Sequence, residues 1–277
     1  MTVDKSSTNE ARASGGHWVV WFFLLTYAVT WSCFVAVARD VIPAKGGAGQ
    51  TVLLLGTIAP SLVALLLTWL AEGAGGTRPL LRGLARWRVG WGWYAFAFVF
   101  IAALKLLAAV LVRVALGAWP RFGTEPLWVL PVAVLLSTPV QAGEEIGWRG
   151  YALPRMASRI GWGPASVVLG IIWASWHLPL FFVAAADTYQ QSFLIYALQV
   201  TAISVTMAWV YAQTGRSLLL AMVLHAAVNN TKDIVPSTLP VGAGVFTLAA
   251  TPMAWTTVAL LWICAAYLLT RMPRGEK

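Results

Sequence analysis

Several side chains that can transfer protons or bind an oxyanion lie within otherwise apolar runs of this sequence. Glu144 and Glu145 end one such run, in the segment QAGEEIGWR. His177 lies in a second run, and His225 and Asn229 lie in a third. Placing an ionisable side chain within a membrane span costs about 2.5–3.5 kcal/mol. Such positions are rarely kept without a use, so these residues are the candidate functional site.

The two adjacent glutamates are predicted to differ. If the segment is helical, Glu145 and Arg149 are four residues apart, share a face and can pair. Glu144 is rotated by about 100° from Glu145 and points elsewhere. Without a counter-ion and partly desolvated, Glu144 is suited to take a proton from water. The alternative interpretation is a helix end among lipid headgroups, with both carboxylates solvated.

A carboxylate, two imidazoles and an amide in one wet pocket suit hydrolysis. His225 and Asn229 share a helix face and can donate jointly to one oxygen atom, a contribution of about 3–4 kcal/mol to an oxyanion. Glu144 and His177 can hold and deprotonate a water. The same pattern also fits Zn²⁺ bound by Glu144, His177 and His225 with one open position for water. The zincin signature His-Glu-x-x-His is absent, and the sequence does not separate the two schemes.

The elements that must position these residues are membrane-spanning helices. Of the 277 residues, 59% are hydrophobic and 10% are charged, whereas soluble domains carry about 25% charged residues. Runs of about 20 apolar residues can cross a bilayer as helices, and the strict alternation of a membrane β-barrel is missing. We predict an all-α polytopic membrane protein, a single transmembrane domain over residues 1–277 with a disordered cytoplasmic tail at 1–16. Eight spans are predicted: Trp18–Ala38, Thr51–Ala71, Gly92–Leu116, Leu127–Gln141, Ala165–Ala184, Ser192–Gln213, Leu218–Asn230 and Ala254–Thr270.

The distribution of positive charge orients these spans. The net charge is +9, and because the charges sit at helix ends we interpret them as topology signals rather than as a nucleic-acid surface. With eight spans the termini share one side, and thirteen basic residues fall there: Lys5, Arg12, Arg78, Arg82, Arg86, Arg88, Arg149, Arg155, Arg159, Arg216, Arg271, Arg274 and Lys277. Four fall on the other side: Arg39, Lys45, Arg121 and Lys232.

This asymmetry predicts a multi-pass protein of the cell membrane with both termini in the cytoplasm. The candidate site is expected to line a cavity open to the cytoplasm, which water can reach. The segment Leu80–Arg88 interleaves basic and apolar residues, and we interpret it as an interfacial stretch facing anionic headgroups.

Three motifs in order resemble the CAAX-protease and bacteriocin-processing family (CPBP, also called Abi) of intramembrane proteases. They are Glu144-Glu145-x-x-x-Arg149, an aromatic-rich motif ending in Trp176-His177, and His225-x-x-x-Asn229, within a catalytic core at 127–230. The resemblance implies an eight-helix fold around a cytoplasm-facing cavity and an endopeptidase acting on a membrane-associated protein or peptide. It also implies roles for six residues: water activation by Glu144 and His177, oxyanion binding by His225 and Asn229, and support by Glu145 and Arg149.

Three features of the family bear on this chain. The second motif often begins with Phe four residues before the His, where this chain has Trp173, and we expect little effect from that difference. Members are commonly called metalloproteases, but a glutamate mechanism without metal is also favoured for the group, so Zn²⁺ stays open. The eukaryotic members cleave prenylated Cys-a-a-X proteins. No residue here indicates prenyl binding, so that substrate is not transferred.

Two other classes of function compete with proteolysis. A non-catalytic scaffold, or an immunity protein that binds a bacteriocin, could use the same cavity for binding. A proton- or ion-coupled transporter could use Lys105 and Glu144 as relay groups, but inverted repeats and paired broken helices, which are typical of transporters, are not evident.

Overall fold

Apolar helices make up most of the chain in the computed structural model, which describes residues 5–232, 234–236 and 244–273, with side chains from residue 17 onward. No β-strand occurs within these ranges. The all-α, polytopic fold is therefore confirmed. The long helices are α1 Lys5–Ala38, α2 Gly47–Glu72, α4 Trp91–Leu116, α8 Trp162–Trp176, α9 Phe193–Gln213, α10 Leu218–Thr231 and α11 Pro252–Thr270, and the short ones are α3 Ala74–Leu81, α5 Val129–Ser137, α6 Ala142–Glu145 and α7 Leu153–Ile160.

Six segments are long and apolar enough to cross a membrane among the described residues. They correspond to the predicted spans one, two, three, five, six and eight. The fourth predicted span is instead a nine-residue helix, α5, followed by a 3₁₀ turn over Thr138–Gln141 and by α6. The seventh is α10, with 14 residues. The total of eight spans therefore stays a prediction.

The predicted disorder of residues 1–16 stays a prediction. Residues 1–4 lie outside the described part, and the backbone from Lys5 continues α1. Extending an existing helix requires no new nucleation, and residues such as Glu10, Ala11, Arg12 and Ala13 have good helix propensity. The boundary between tail and span is therefore not a boundary of the helix.

Helix α2 packs closely against the segment that carries the two glutamates. Pro60 lacks an N–H group, so the carbonyl of Gly56 loses its helix partner. The Thr30 hydroxyl replaces it, donating to Gly56 O at 2.8 Å. A kink-prone position in α2 is thereby stabilised by α1.

Glycines on the glutamate segment allow this close approach. A Cβ atom on Gly147 would lie 2.5 Å from the carbonyl oxygen of Pro60, and one on Gly143 would lie 2.7 Å from the side chain of Ile58. The Ser61 hydroxyl donates to Ala142 O at 2.6 Å. These contacts fix the position of Glu144 and Glu145 against α2.

A π-helical turn follows α6 over Ile146–Ala152. Turns of this kind are rare and are frequent at functional sites. Helix α8, which contains most of the second motif, packs on α9. Helix α10, which contains the third motif, packs on α4, α5 and α9. The predicted site residues therefore come from three neighbouring parts of one bundle.

Candidate active site

Glu144 and His177 both contact Trp173, although they come from different helices. The indole N–H of Trp173 donates to Glu144 Oε2 at 2.8 Å. The Nδ1 atom of His177 lies 2.8 Å from the carbonyl oxygen of Trp173. The rings of Trp173 and His177 also meet, with centroids 5.8 Å apart. The first and second motifs therefore converge at Trp173.

The end of α8 determines which nitrogen of His177 carries a proton. Helix α8 ends at Trp176, so the last carbonyl groups have no further helical N–H partner. The Trp173 carbonyl can only accept a hydrogen bond, so Nδ1 of His177 must donate. In the neutral ring, Nε2 then carries a lone pair and can accept a proton.

Glu145 connects Arg149 with His225 through one oxygen atom. Arg149 Nη1 donates to Glu145 Oε1 at 2.8 Å, in the ion pair that the four-residue spacing predicts. His225 Nδ1 lies 2.8 Å from the same Oε1. The exposed fractions of Glu145, Arg149 and His225 are 0%, 0% and 3%. We call these three residues the inner trio.

Arg149 also binds the second motif. Its guanidinium carbon lies 4.1 Å from the ring centroid of Trp173, a cation–π contact that strengthens when desolvated. Its Nη2 donates to Met207 Sδ at 3.2 Å. Trp173 also packs edge-on against His225, with centroids 5.1 Å apart. The three motifs therefore share one set of contacts around Trp173.

The remaining predicted residues, Glu144, His177 and Asn229, form what we call the outer trio, because exposure increases along it. Glu144 is 6% exposed, His177 is half-buried, and Asn229 is exposed. Asn229 Nδ2 donates weakly to Gln141 Oε1 at 3.4 Å. An exposed amide with one long hydrogen bond can turn towards a ligand.

Exposure of the outer trio bears on how the site is reached. His177 and Asn229 lie near the carboxyl ends of α8 and α10. Arg159 and Arg216, which the charge count places in the cytoplasm, lie near the amino ends of these helices. If the termini are cytoplasmic, the exposed Asn229 lies at the opposite end of its helix, away from the cytoplasm. Cytoplasmic termini and a cavity open to the cytoplasm are therefore hard to combine in this arrangement, and both stay predictions.

The predicted zinc ligands Glu144, His177 and His225 were tested by their arrangement. Within the part of the chain that the structure describes, no group of three or more His, Cys, Asp or Glu side chains is arranged to hold a metal ion. His225 directs Nδ1 to Glu145, and Glu144 accepts from Trp173. These contacts and that of His177 use Nδ1 of each histidine and one oxygen of Glu144, not Nε2 or the other oxygen, so zinc binding by these residues stays a prediction.

Three site residues were not assigned from the sequence. Trp173 was expected to behave like the Phe that the family often has, yet only Trp has an N–H group for Glu144. Gln141 contacts Asn229, and Tyr196 packs on the ring of His177 with centroids 5.5 Å apart. Gln141 and the indole N–H of Trp173 are polar groups within apolar runs. That position in the sequence was the signal that could have identified them as site residues.

Comparison with known proteins agrees with these motifs. A family model described as type II CAAX prenyl endopeptidase, Rce1-like, matches residues 124–231. That interval contains all six predicted site residues and nearly coincides with the predicted catalytic core at 127–230.

A curated relative matches part of the chain. "CAAX prenyl protease 2" of Methanococcus maripaludis is 32% identical over 123 residues, which cover 42% of this chain and 44% of the relative. The chain thus spans less than half the length of this relative in the match. The segment that carries the three motifs is therefore similar to the CAAX-protease (CPBP) family.

Proposed function

We propose that this protein is an intramembrane endopeptidase that hydrolyses a peptide bond in a membrane-associated protein or peptide. The observation that supports this most strongly is the convergence of Glu144 and His177 on Trp173 from separate helices. The match of residues 124–231 to the family model supports the same reaction class. The relative's name refers to prenylated substrates, and for this chain a prenylated peptide is one substrate to be tested.

In the proposed mechanism Glu144 and His177 activate a water molecule. Glu144 Oε2 accepts the Trp173 N–H, so its other oxygen can accept a proton from water. Nε2 of His177 can orient the same water or later pass a proton to the leaving amine. As water attacks the carbonyl carbon, its proton goes to the carboxylate, and this proton then reaches the amine nitrogen as the C–N bond breaks.

His225 and Asn229 are proposed to stabilise the oxyanion. Nδ1 of His225 faces Glu145 Oε1, so Nε2 can donate to an oxyanion only if the ring is protonated. Asn229 Nδ2, which is exposed and makes one long hydrogen bond to Gln141, can donate to the same oxygen.

Glu145 and Arg149 are proposed as positioning residues. Glu145 orients His225, and Arg149 anchors Glu145 and the ring of Trp173. For localisation we propose the cell membrane with both termini in the cytoplasm, supported by thirteen basic residues against four in the charge distribution. No step in this mechanism requires a metal ion.

The test compares Glu144→Gln with wild type in the purified full chain, reconstituted in liposomes. Substrates are first found as membrane peptides that differ between cells producing wild-type and Glu144→Gln protein, and prenylated and unprenylated Cys-a-a-X peptides are added. We expect Glu144→Gln to lower turnover by about 10²–10⁴-fold, the usual contribution of a general base. Glu125→Gln, an exposed carboxylate outside the site, is the matched control.

Three results would contradict the proposal in different ways. Glu144→Gln protein that folds and keeps wild-type turnover excludes Glu144 as the base. Identical membrane peptides in both cell types, with all added peptides intact, instead favour a non-catalytic scaffold or immunity protein. Loss of wild-type activity on chelation, restored by Zn²⁺, would replace the glutamate mechanism with a metal mechanism.

A further inference from the structure

A second polar cavity lies at the end of the bundle where α2 and α9 finish and α7 and α10 begin. Its volume is about 250 Å³. Four arginines from three separate parts of the chain line it: Arg82, Arg86, Arg155 and Arg216. The basic segment Leu80–Arg88, interpreted from sequence as interfacial, forms one wall. The cavity shares no residue with the candidate active site.

Protein partners in the cavity neutralise only part of this charge. Arg155 pairs with Glu72 at 3.1 Å, and Glu72 is the one acidic residue among the lining residues. Arg86 donates to the carbonyl oxygen of Gly215, which orients the guanidinium without cancelling its charge. Four guanidinium groups against one carboxylate leave the cavity with a net charge of +3.

The backbone brings Arg216 and Arg86 together at a constrained turn. Gly215 and Arg216 both have positive φ, at 63° and 70°, and the left-handed region costs a non-glycine residue about 1 kcal/mol or more. A Cβ on Gly215 would lie 2.4 Å from Nη1 of Arg86. The turn is thus built so that an arginine can approach the main chain closely.

The wall also contains a hydroxyl group. Tyr211 lines the cavity from α9 and is 4% exposed. The Ser217 hydroxyl donates to the carbonyl of Arg86 at 2.7 Å, which holds the Arg86 segment against α10. Guanidinium groups from different segments, with a phenol in the same cavity lining, are donors that recognise phosphate oxygens.

We propose that this cavity binds a phosphate group, carried by the headgroup of an anionic phospholipid or supplied as free phosphate. Converging positive charges repel one another, and a bound phosphate would offset that repulsion while its oxygens accept from Arg82 and Arg216. The position of the cavity at a bundle end rich in basic residues matches the depth of lipid headgroups. This inference is independent of the proposed protease activity.

The experiment uses the purified full chain in maltoside micelles, which contain no phosphate. Thermal unfolding is followed with increasing phosphatidylglycerol, with diacylglycerol of the same acyl chains, and with inorganic phosphate at constant ionic strength. A ligand of the folded state raises the unfolding temperature with concentration, which gives its Kd. We expect a rise with phosphatidylglycerol and none with diacylglycerol.

Arginine variants test whether the side chains that line the cavity bind the phosphatidylglycerol headgroup. A hydrogen bond to a charged group contributes more than about tenfold in affinity, so Arg82→Gln combined with Arg216→Gln should weaken phosphatidylglycerol binding by about a hundredfold. Arg271→Gln is the matched control. Arg271 is exposed at the same bundle end, where its carbonyl accepts from Gln213, and its loss should cost no more than about fivefold.

Each outcome decides the proposal. A rise with inorganic phosphate as well as phosphatidylglycerol supports a phosphate site that free phosphate can fill, and a rise with phosphatidylglycerol alone supports a lipid headgroup site. Equal effects of phosphatidylglycerol and diacylglycerol, or equal losses in the double variant and Arg271→Gln, overturn it. If the double variant does not fold, Arg82→Gln alone, at an exposed side chain, should give about a tenfold loss.

Discussion

Both trios contact Trp173, the inner one through Arg149 and His225 and the outer one through Glu144 and His177, but their own polar partners differ. Glu145, Arg149 and His225 are almost completely buried, and the Glu145 carboxylate binds both of the others. Glu144, His177 and Asn229 become progressively more exposed, and their polar partners are neutral groups: an indole, a carbonyl and an amide. Charge compensation suits residues that must stay in place, whereas neutral partners leave groups available to a substrate.

The prediction with the largest expected effect on this contrast concerns the free energy of unfolding. Arg149→Ala leaves Glu145 buried without its counter-ion, and breaking a buried ion pair costs about 3–5 kcal/mol. We expect a matching loss in the free energy of unfolding, measured by denaturation of the purified protein in micelles. A stable Arg149→Ala protein with only reduced turnover would mean that the inner trio serves chemistry rather than folding.

Asn229→Ala should give the reverse pattern, with a smaller change. Loss of one oxyanion donor lowers kcat by about 10²–10³-fold, while an exposed side chain contributes within about 0.5 kcal/mol to folding. Steady-state kinetics and thermal unfolding on the same preparation separate the two quantities. Asn230→Ala is the neighbouring control, because Asn230 bonds to Ser137 Oγ and Ala226 O and should leave kcat within a few-fold.

Trp173→Phe should have the smallest effect. The ring remains for Arg149 and both histidines, and only the hydrogen bond to Glu144 is lost, a contribution of about 1.5–3 kcal/mol for a charged acceptor. We expect kcat to fall by about tenfold or somewhat more with KM unchanged, since the bond positions the base and does not contact the substrate. A change confined to KM would assign Trp173 to substrate binding instead.

The sequence predicted the parts of the site that depend on local spacing. The pairing of Glu145 with Arg149 follows from four residues on a helix, and the different position of Glu144 follows from the rotation between neighbours. The six apolar segments long enough to cross a membrane were identified with boundaries within a few residues. Each of these depends on periodicity within one segment, which a single sequence displays.

Contacts between distant segments could not be predicted. The hydrogen bond from Trp173 to Glu144 joins residues 29 positions apart, and that from His225 to Glu145 joins residues 80 apart. No local pattern displays the π-helical turn after α6 or the close packing of Gly147 in that turn against Pro60. The hydrogen bond of Glu145 to His225, beside its predicted pair with Arg149, could therefore be identified only from the structure.

The shortness of α10 has a consequence for the surrounding lipid. Its 14 residues extend for about 21 Å at 1.5 Å per residue, against a hydrocarbon thickness of about 30 Å. Hydrophobic mismatch of this kind is relieved by local compression of the bilayer or by polar residues reaching for the interface. If α10 is one of the eight predicted spans, we expect the water–lipid boundary beside the exposed Asn229 to lie closer to the midplane than elsewhere, so that a substrate can meet the protein there.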